Sequence, residues 1–200
     1  MILPESFYLG EDVLGIAQEL IGKSLFVFSP GGDKLSGRIV EVEAYNGEID
    51  RASHAFGGRR TKRTETMYLP GGHAYTYLCY GVHHLFNVVT GPAETPHAVL
   101  IRGIEIEGDE SGTLGRGPGK LSKTLGITTE TDGWKLDGKW IGIFEHEHEH
   151  ERGQGQEVFA TPRIGVDYAG EDASLLYRFF TPSRAISGKS ALNKSAVRVK

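Results

Sequence analysis

Apolar residues set a different period in each segment of the chain. Val13, Ile16, Ala17 and Leu20 recur at i, i+3, i+4 and i+7, the stripe of an amphipathic helix. Glu11 and Asp12 precede it, where the positive end of a helix favours acidic side chains, and Gly22 suits its C-terminal cap. Beyond this helix the period shortens. Segments 25–28, 37–45 (GRIVEVEAY), 74–80 (AYTYLCY), 85–90 (LFNVVT) and 98–105 (AVLIRGIE) are short, aliphatic and aromatic, and read as strands. Segments 140–144 and 163–166 read the same way, and 178–180 can add one more. Glycine and proline punctuate them: 30–33 and 70–72 are turns, 81–84 is a hairpin tip, and 54–64 and 108–119 are loops. A short helix over 120–125 stops at Gly126.

Strands outnumber helices, and consecutive strands look hairpin-linked. The pattern predicts an α+β fold: one domain over 1–200, with a curved, largely antiparallel sheet, a protruding β-hairpin and a few short helices. From about 181 the chain turns polar, and a loose tail is expected.

The 200 residues are 38% hydrophobic, enough for a sizeable core. One cysteine, Cys79, excludes an internal disulfide framework and argues against a cysteine-built zinc site. That suits a reducing, intracellular compartment, the cytoplasm or a eukaryotic nucleus. No basic-then-apolar leader opens the chain and no run approaches ~18 apolar residues, so neither a signal peptide nor a membrane span is expected. The net charge of -4 alone speaks against a nucleic-acid partner. Its distribution changes that. Arg59, Arg60, Lys62 and Arg63 crowd together, and Arg116, Lys120 and Lys123 share a second, glycine-rich stretch, while acidic residues gather at 145–151. A basic face opposite an acidic one reconciles the two facts.

Strict alternation along 37–45 puts Ile39, Glu41, Glu43 and Tyr45 on one face and Arg38, Val40, Val42 and Ala44 on the other. Two carboxylates on one strand face are either a solvated edge or a general base aimed at a water. They also suit a glycosidase pair, and carbons ~7 Å apart do not separate these options. Tyr75 and Tyr77 share a strand face, and Tyr80 stands at the hairpin tip. A tip tyrosine either folds back on the core or serves as a wedge into a duplex. His54 precedes the basic cluster, whose glycines let backbone and arginines approach phosphates, though a solvated surface also accounts for it. Gly115, Arg116, Gly117, Pro118, Gly119 and Lys120 open a short helix, a phosphate contact or a plain turn. His146, His148 and His150 alternate with glutamates; surface alternation accounts for them better than a zinc site does, and no metal or cofactor is expected.

Taken together, GRIVEVEAY, SHAFGGRRTKR, MYLPGGHAYTYLCYG, FNVVT, AVLIRGIE and GRGPGKLSKTLGI resemble the alkyladenine (3-methyladenine) DNA glycosylase family. The likeness runs from about 38 to 127 and more weakly to Tyr168 and the N-terminal helix. It implies that Glu43 activates a water. It implies that Tyr45, His54 and Tyr77 sandwich a flipped base, that Tyr80 intercalates through the minor groove, and that Asn87 screens bases. Arg102 takes the place of an active-site arginine near phosphate and water. Val82 and His83 depart from the hairpin residues common in the family.

The chemistry agrees. Flipping a base costs a few kcal/mol, and stacking returns ~1–3 kcal/mol per base, so several rings are needed. A cationic alkylated purine stacks well on electron-rich rings and leaves without a proton donor; a neutral lesion such as hypoxanthine needs protonation, for instance at N7. No lysine lies on the Glu43 or the aromatic strand, so a monofunctional enzyme that leaves an abasic site is expected, acting on duplex DNA as a monomer. Two other readings stand: a non-catalytic damage-binding module, and a carboxylate glycoside hydrolase using Glu41 and Glu43.

Overall fold

A computed structural model describes residues 1–29, 31–145, 157–188 and 190–200. Two helices open the chain, α1 (Glu5–Tyr8) and α2 (Val13–Leu20). Asp12 caps α2 by accepting the Leu14 and Gly15 N–H groups at 3.1 and 3.0 Å, and the whole predicted stripe is buried. Strands β1 (Ser24–Phe28) and β2 (Lys34–Tyr45) follow. Next come the hairpin β3 (Ala74–Cys79) and β4 (His83–Thr90), then β5 (His97–Ile106). Helix α3 (Pro118–Leu125) starts with proline in its first turn and ends at Gly126, whose φ of 68° is the left-handed conformation of a C-terminal cap. Strands β6 (Ile141–Phe144), β7 (Phe159–Thr161) and β8 (Arg178–Phe180), helix α4 (Ser190–Lys194) and β9 (Val197–Arg198) complete the order.

The strands form one sheet of order β3-β4-β5-β2-β8-β7-β9, with β1 pairing β2 and β6. Every strand pairing in it is antiparallel. This is the α+β class expected, with a large antiparallel sheet and short helices. One face packs the main core, where Val42, Ala44, Val88, Val99, Ile101 and Phe179 meet Leu20 of α2 and Leu121 and Leu125 of α3. The other face carries the polar and aromatic side chains described below.

Four expectations need correction. Ile39 does not share a face with Glu41 and Glu43: the β2–β5 register shifts between Ile39 and Val42, a bulge, and Ile39 joins Val42 and Ala44 in the core. An inserted residue resets the two-residue alternation, which a strict count cannot foresee. Segment 163–166 is not a strand. The strand lies earlier, at β7, and the chain turns away after Pro162, which cannot donate to a ladder. The hairpin turn centres on Tyr80 and Gly81, with Val82 N–H donating to Cys79 C=O at 3.1 Å, so it precedes the expected 81–84. Nor is the stretch 181–187 loose. Thr181 N–H donates to Val40 C=O at 3.0 Å, Ala185 is fully buried, and Ser187 reaches Glu41.

Candidate active site

One register row crosses five strands: Tyr75, Asn87, Leu100, Glu43 and Arg178 are successive partners on β3, β4, β5, β2 and β8. Registered partners share a sheet face. At spacings of about 4.8 Å, Glu43 lies three strands from Tyr75. The ladder therefore gathers on one face residues that lie far apart in sequence.

Glu43 on this row and Glu41, two residues earlier on β2, are both fully buried. Burial alone drives a carboxyl towards protonation or pairing. Arg102 answers both carboxylates, with Nε 3.2 Å from Glu41 Oε1 and Nη1 3.2 Å from Glu43 Oε2. Arg178, itself fully buried, donates to Glu41 Oε1 at 2.7 Å, and the Ser187 N–H donates to Glu41 Oε2 at 2.5 Å. Burial raises the Glu41 carboxyl, but Arg102, Arg178 and the Ser187 N–H outweigh it and hold the group below the usual carboxylate range. Glu43 has other partners. Its Oε1 accepts the Ile164 N–H at 2.7 Å, and its Oε2 accepts the Tyr45 hydroxyl at 3.0 Å beside Arg102. Burial, then the Glu43 charge, pushes the Tyr45 phenol well up, so it stays protonated and donates.

Tyr45 is held from behind. Arg163 stands 4.8 Å from its ring centroid, is fully buried in its side chain, and is paired to Asp50 at 2.5 and 2.8 Å. His54 and Tyr77 meet edge to face, with centroids 4.7 Å apart and planes at 73°. A base stacked on both sides needs about 7 Å, two gaps of ~3.5 Å, so nothing fits between these two rings. They form one wall. Tyr75 backs it, 5.4 Å from Tyr77, and its hydroxyl lies 2.8 Å from His54 Nδ1. Burial, with Arg63 and Arg59 nearby, lowers the His54 imidazole to about 4, so it is neutral at pH 7. Burial pushes the Tyr75 phenol to about 12. Asn87 is buried, its amide donating to Tyr75 C=O at 2.9 Å.

Tyr80 is 95% exposed at the hairpin tip. Its φ of 50° and the 70° of Gly81 are both left-handed. A non-glycine residue there is strained, and strain of this kind clusters at functional sites. The basic residues differ in availability. Arg63 lies over the Tyr77 ring, 4.7 Å from its centroid. Arg59 and Lys62 are exposed and make no ion pair with a described residue. Arg60 is instead held by Glu65 at 2.7 Å and Glu94 at 2.5 Å and lies over Tyr68, so its charge is largely answered within the protein. Arg116 is spent mainly on the Arg184 carbonyl, with Nε at 2.8 Å. Lys120 is exposed in the first turn of α3, which starts against the hairpin: a Cβ at Gly119 would lie 2.9 Å from the His83 ring. The His146, His148 and His150 alternation lies outside the described residues.

Of the residues expected from the sequence, the structure brings Tyr45 and Arg102 onto Glu43, and His54 onto Tyr77. The sequence reading misses Arg178, Ser187 and the Ile164 N–H, which reach the carboxylates, and Arg163, which faces Tyr45, all from chain segments distant in sequence; it also misses Asp50, which holds Arg163. The one usable signal was arginine inside otherwise apolar segments, at 163 and 178.

Comparison with known proteins gives the same direction. The chain matches the methylpurine-DNA glycosylase family over residues 6–185. It is 46% identical over 197 residues to a protein of Bacillus thuringiensis (strain Al Hakam), covering 90% of this chain and 95% of the relative. It is 44% identical, over 90% of this chain, to relatives in Bacillus cereus (strain AH820) and Bacillus mycoides (strain KBAB4), covering 95% and 96% of them. All three are provisionally named as 3-methyladenine DNA glycosylases. With nine-tenths of its length inside the family match, the chain belongs to the methylpurine-DNA glycosylase family.

Proposed function

We propose that this protein excises 3-methyladenine, 7-methylguanine and related purines from duplex DNA by water attack at C1′, with Glu43 as the base, and leaves an abasic site. The observation that carries the reading is the juxtaposition of a buried glutamate, an arginine and a stacking tyrosine: Glu43 Oε2 accepts from both the Tyr45 hydroxyl and Arg102 Nη1.

Tyr80 enters the minor groove and fills the gap left by the flipped nucleotide. The base stacks with Tyr45 on one side and the joint His54–Tyr77 wall on the other. Neutral His54 adds no positive charge against a cationic purine, which favours binding of alkylated bases. Asn87 meets the base edge and disfavours the 2-amino group of undamaged guanine. Arg59, Lys62 and Arg63 meet phosphates beside the hairpin, with Lys120 from the start of α3; Arg60 and Arg116 join them only by giving up contacts within the protein.

Glu43 exposes no surface in the free protein, so water reaches it only when a neighbour yields. Arg102 has five N–H donors, and Glu41, Glu43 and Ser187 use three, leaving two. A phosphate arriving on that free edge competes for the guanidinium and relaxes its hold on Glu43 Oε2. A water then takes the vacant lone pair and is aimed at C1′ as the bond breaks through an oxocarbenium-like state. A cationic base departs as it is. Residues 37–45 of β2 and all of β3 and β4 carry no lysine, in keeping with monofunctional hydrolysis.

The test is release of free base from duplexes carrying 3-methyladenine, 7-methylguanine, hypoxanthine or ethenoadenine. The reading expects base release with the strand intact until alkali cleaves the abasic site. Binding without release from any of the four supports a damage-binding module instead.

A further inference from the structure

We propose that Ser187 is a positioning residue for excision: its hydroxyl fixes the plane of the Arg102 guanidinium, and with it the direction of the two N–H groups left for DNA and water. The proposal rests on the roles given to Glu43 and Arg102 above. Ser187 lies past the stretch 6–185 that matches the family, on a strap that follows β8 back across β2 and β5.

The strap lies close because residue 103 is glycine. A Cβ there would stand 2.7 Å from the Ala185 carbonyl oxygen and 3.0 Å from Glu41 Cβ. With Ala185 fully buried against this gap, Ser187 is delivered to the carboxylates. Its Oγ accepts Arg102 Nη2 at 3.2 Å and donates to Glu41 Oε1 at 2.8 Å. Its N–H donates to Glu41 Oε2 at 2.5 Å, and its carbonyl accepts Arg178 Nη2 at 2.9 Å.

The geometry explains the hydroxyl's role. Glu41 and Glu43 hold the guanidinium at Nε and Nη1, both from the neighbouring strand β2. Two contacts define an axis about which a planar group can tilt. The third, at Nη2, comes from off that strand and removes the tilt. Misplacing a catalytic contact by about 1 Å costs up to about a hundredfold in rate. Ser187→Ala deletes only this contact and the Oγ–Glu41 bond, because its other bonds belong to the backbone.

The experiment compares wild type, Ser187→Ala, Ser187→Thr and Glu43→Gln. Three quantities are read: single-turnover release of hypoxanthine, affinity for a duplex with an uncleavable abasic analogue, and thermal midpoint. Ser187→Ala is expected to slow release about tenfold with affinity within about threefold and an unchanged midpoint, and Ser187→Thr to recover most of the rate. A wild-type rate in Ser187→Ala, with Glu43→Gln inactive, overturns the proposal and leaves the excision mechanism standing. Equal slowing in the alanine and threonine variants, or a rate loss matched by lost affinity and midpoint, makes Ser187 merely structural and overturns it too. Normal excision by Glu43→Gln removes the mechanism and this inference together.

Discussion

Arg102 Nη1 lies 3.2 Å from Glu43 Oε2, and the same guanidinium holds Glu41 through Nε at the same distance. Two fully buried carboxylates on one strand are tolerable only because cations are shared between them. Removing Arg102 leaves Glu43 with no ion pair among the described residues, while Glu41 keeps Arg178. Arg102→Ala should therefore destabilise the fold by about 3–5 kcal/mol at neutral pH, as well as abolish excision. Urea unfolding checks this; a change under about 1 kcal/mol would show that the carboxylates do not depend on the pair.

The His54 imidazole makes stability depend on acid. Its folded value is about 4, against 6.5 when unperturbed, because burial and the Arg63 and Arg59 charges disfavour its proton. As pH falls below about 6.5 the unfolded chain takes up the proton first, so this residue subtracts stability progressively until about 4, where the folded form also binds one. An NMR titration should give a His54 midpoint near 4, and His54→Phe should flatten this part of the stability profile. A midpoint near 6.5 would show the ring to be solvated, not a buried wall.

The tip tyrosine should matter to DNA and not to folding. Tyr80 is 95% exposed and sits at a φ of 50°, so Tyr80→Gly loses little packing and relieves backbone strain. Stability should stay level or rise by up to about 1 kcal/mol. Excision should fall about 5- to 150-fold, the equivalent of one stacking contact of ~1–3 kcal/mol. Thermal melting and single-turnover release check the two halves separately. Loss of stability without loss of excision would return Tyr80 to a structural role.

The pair behind Tyr45 is a fold element with a functional consequence. Asp50 and Arg163 are joined by two hydrogen bonds, out of water, and Arg163 faces the Tyr45 ring. Asp50→Ala strands a buried guanidinium and should cost about 3–5 kcal/mol. Excision near the wild-type rate by whatever fraction stays folded, measured at low temperature, would show that Tyr45 does not need this support.

What could be read in the sequence follows from the range of each interaction. The α2 stripe and the strand composition are local signals, and they located helix Val13–Leu20 and β2 to β5 within a few residues. Glu43, Tyr45 and Tyr77 stood out as candidates by the strand faces they share, whereas Asn87 and Arg102 were named only through the family resemblance. The bulge after Ile39 was not visible, because an extra residue is defined only against the partner strand β5. Ser187, Arg178 and Arg163 were missed for the same reason: each matters through a partner more than 100 residues away. The chain after 180 looked loose by its polarity, yet Ser187 within it joins Arg102 and Arg178 in answering buried Glu41.

The most direct test of the account is single-turnover excision by Glu43→Gln on a 7-methylguanine or hypoxanthine duplex, with DNA affinity measured in parallel. The amide keeps the shape and the capacity to accept the Ile164 N–H, but it is a far weaker base. Release should fall by at least about a hundredfold while affinity stays within a few-fold of wild type. Release at the wild-type rate would contradict water activation by Glu43.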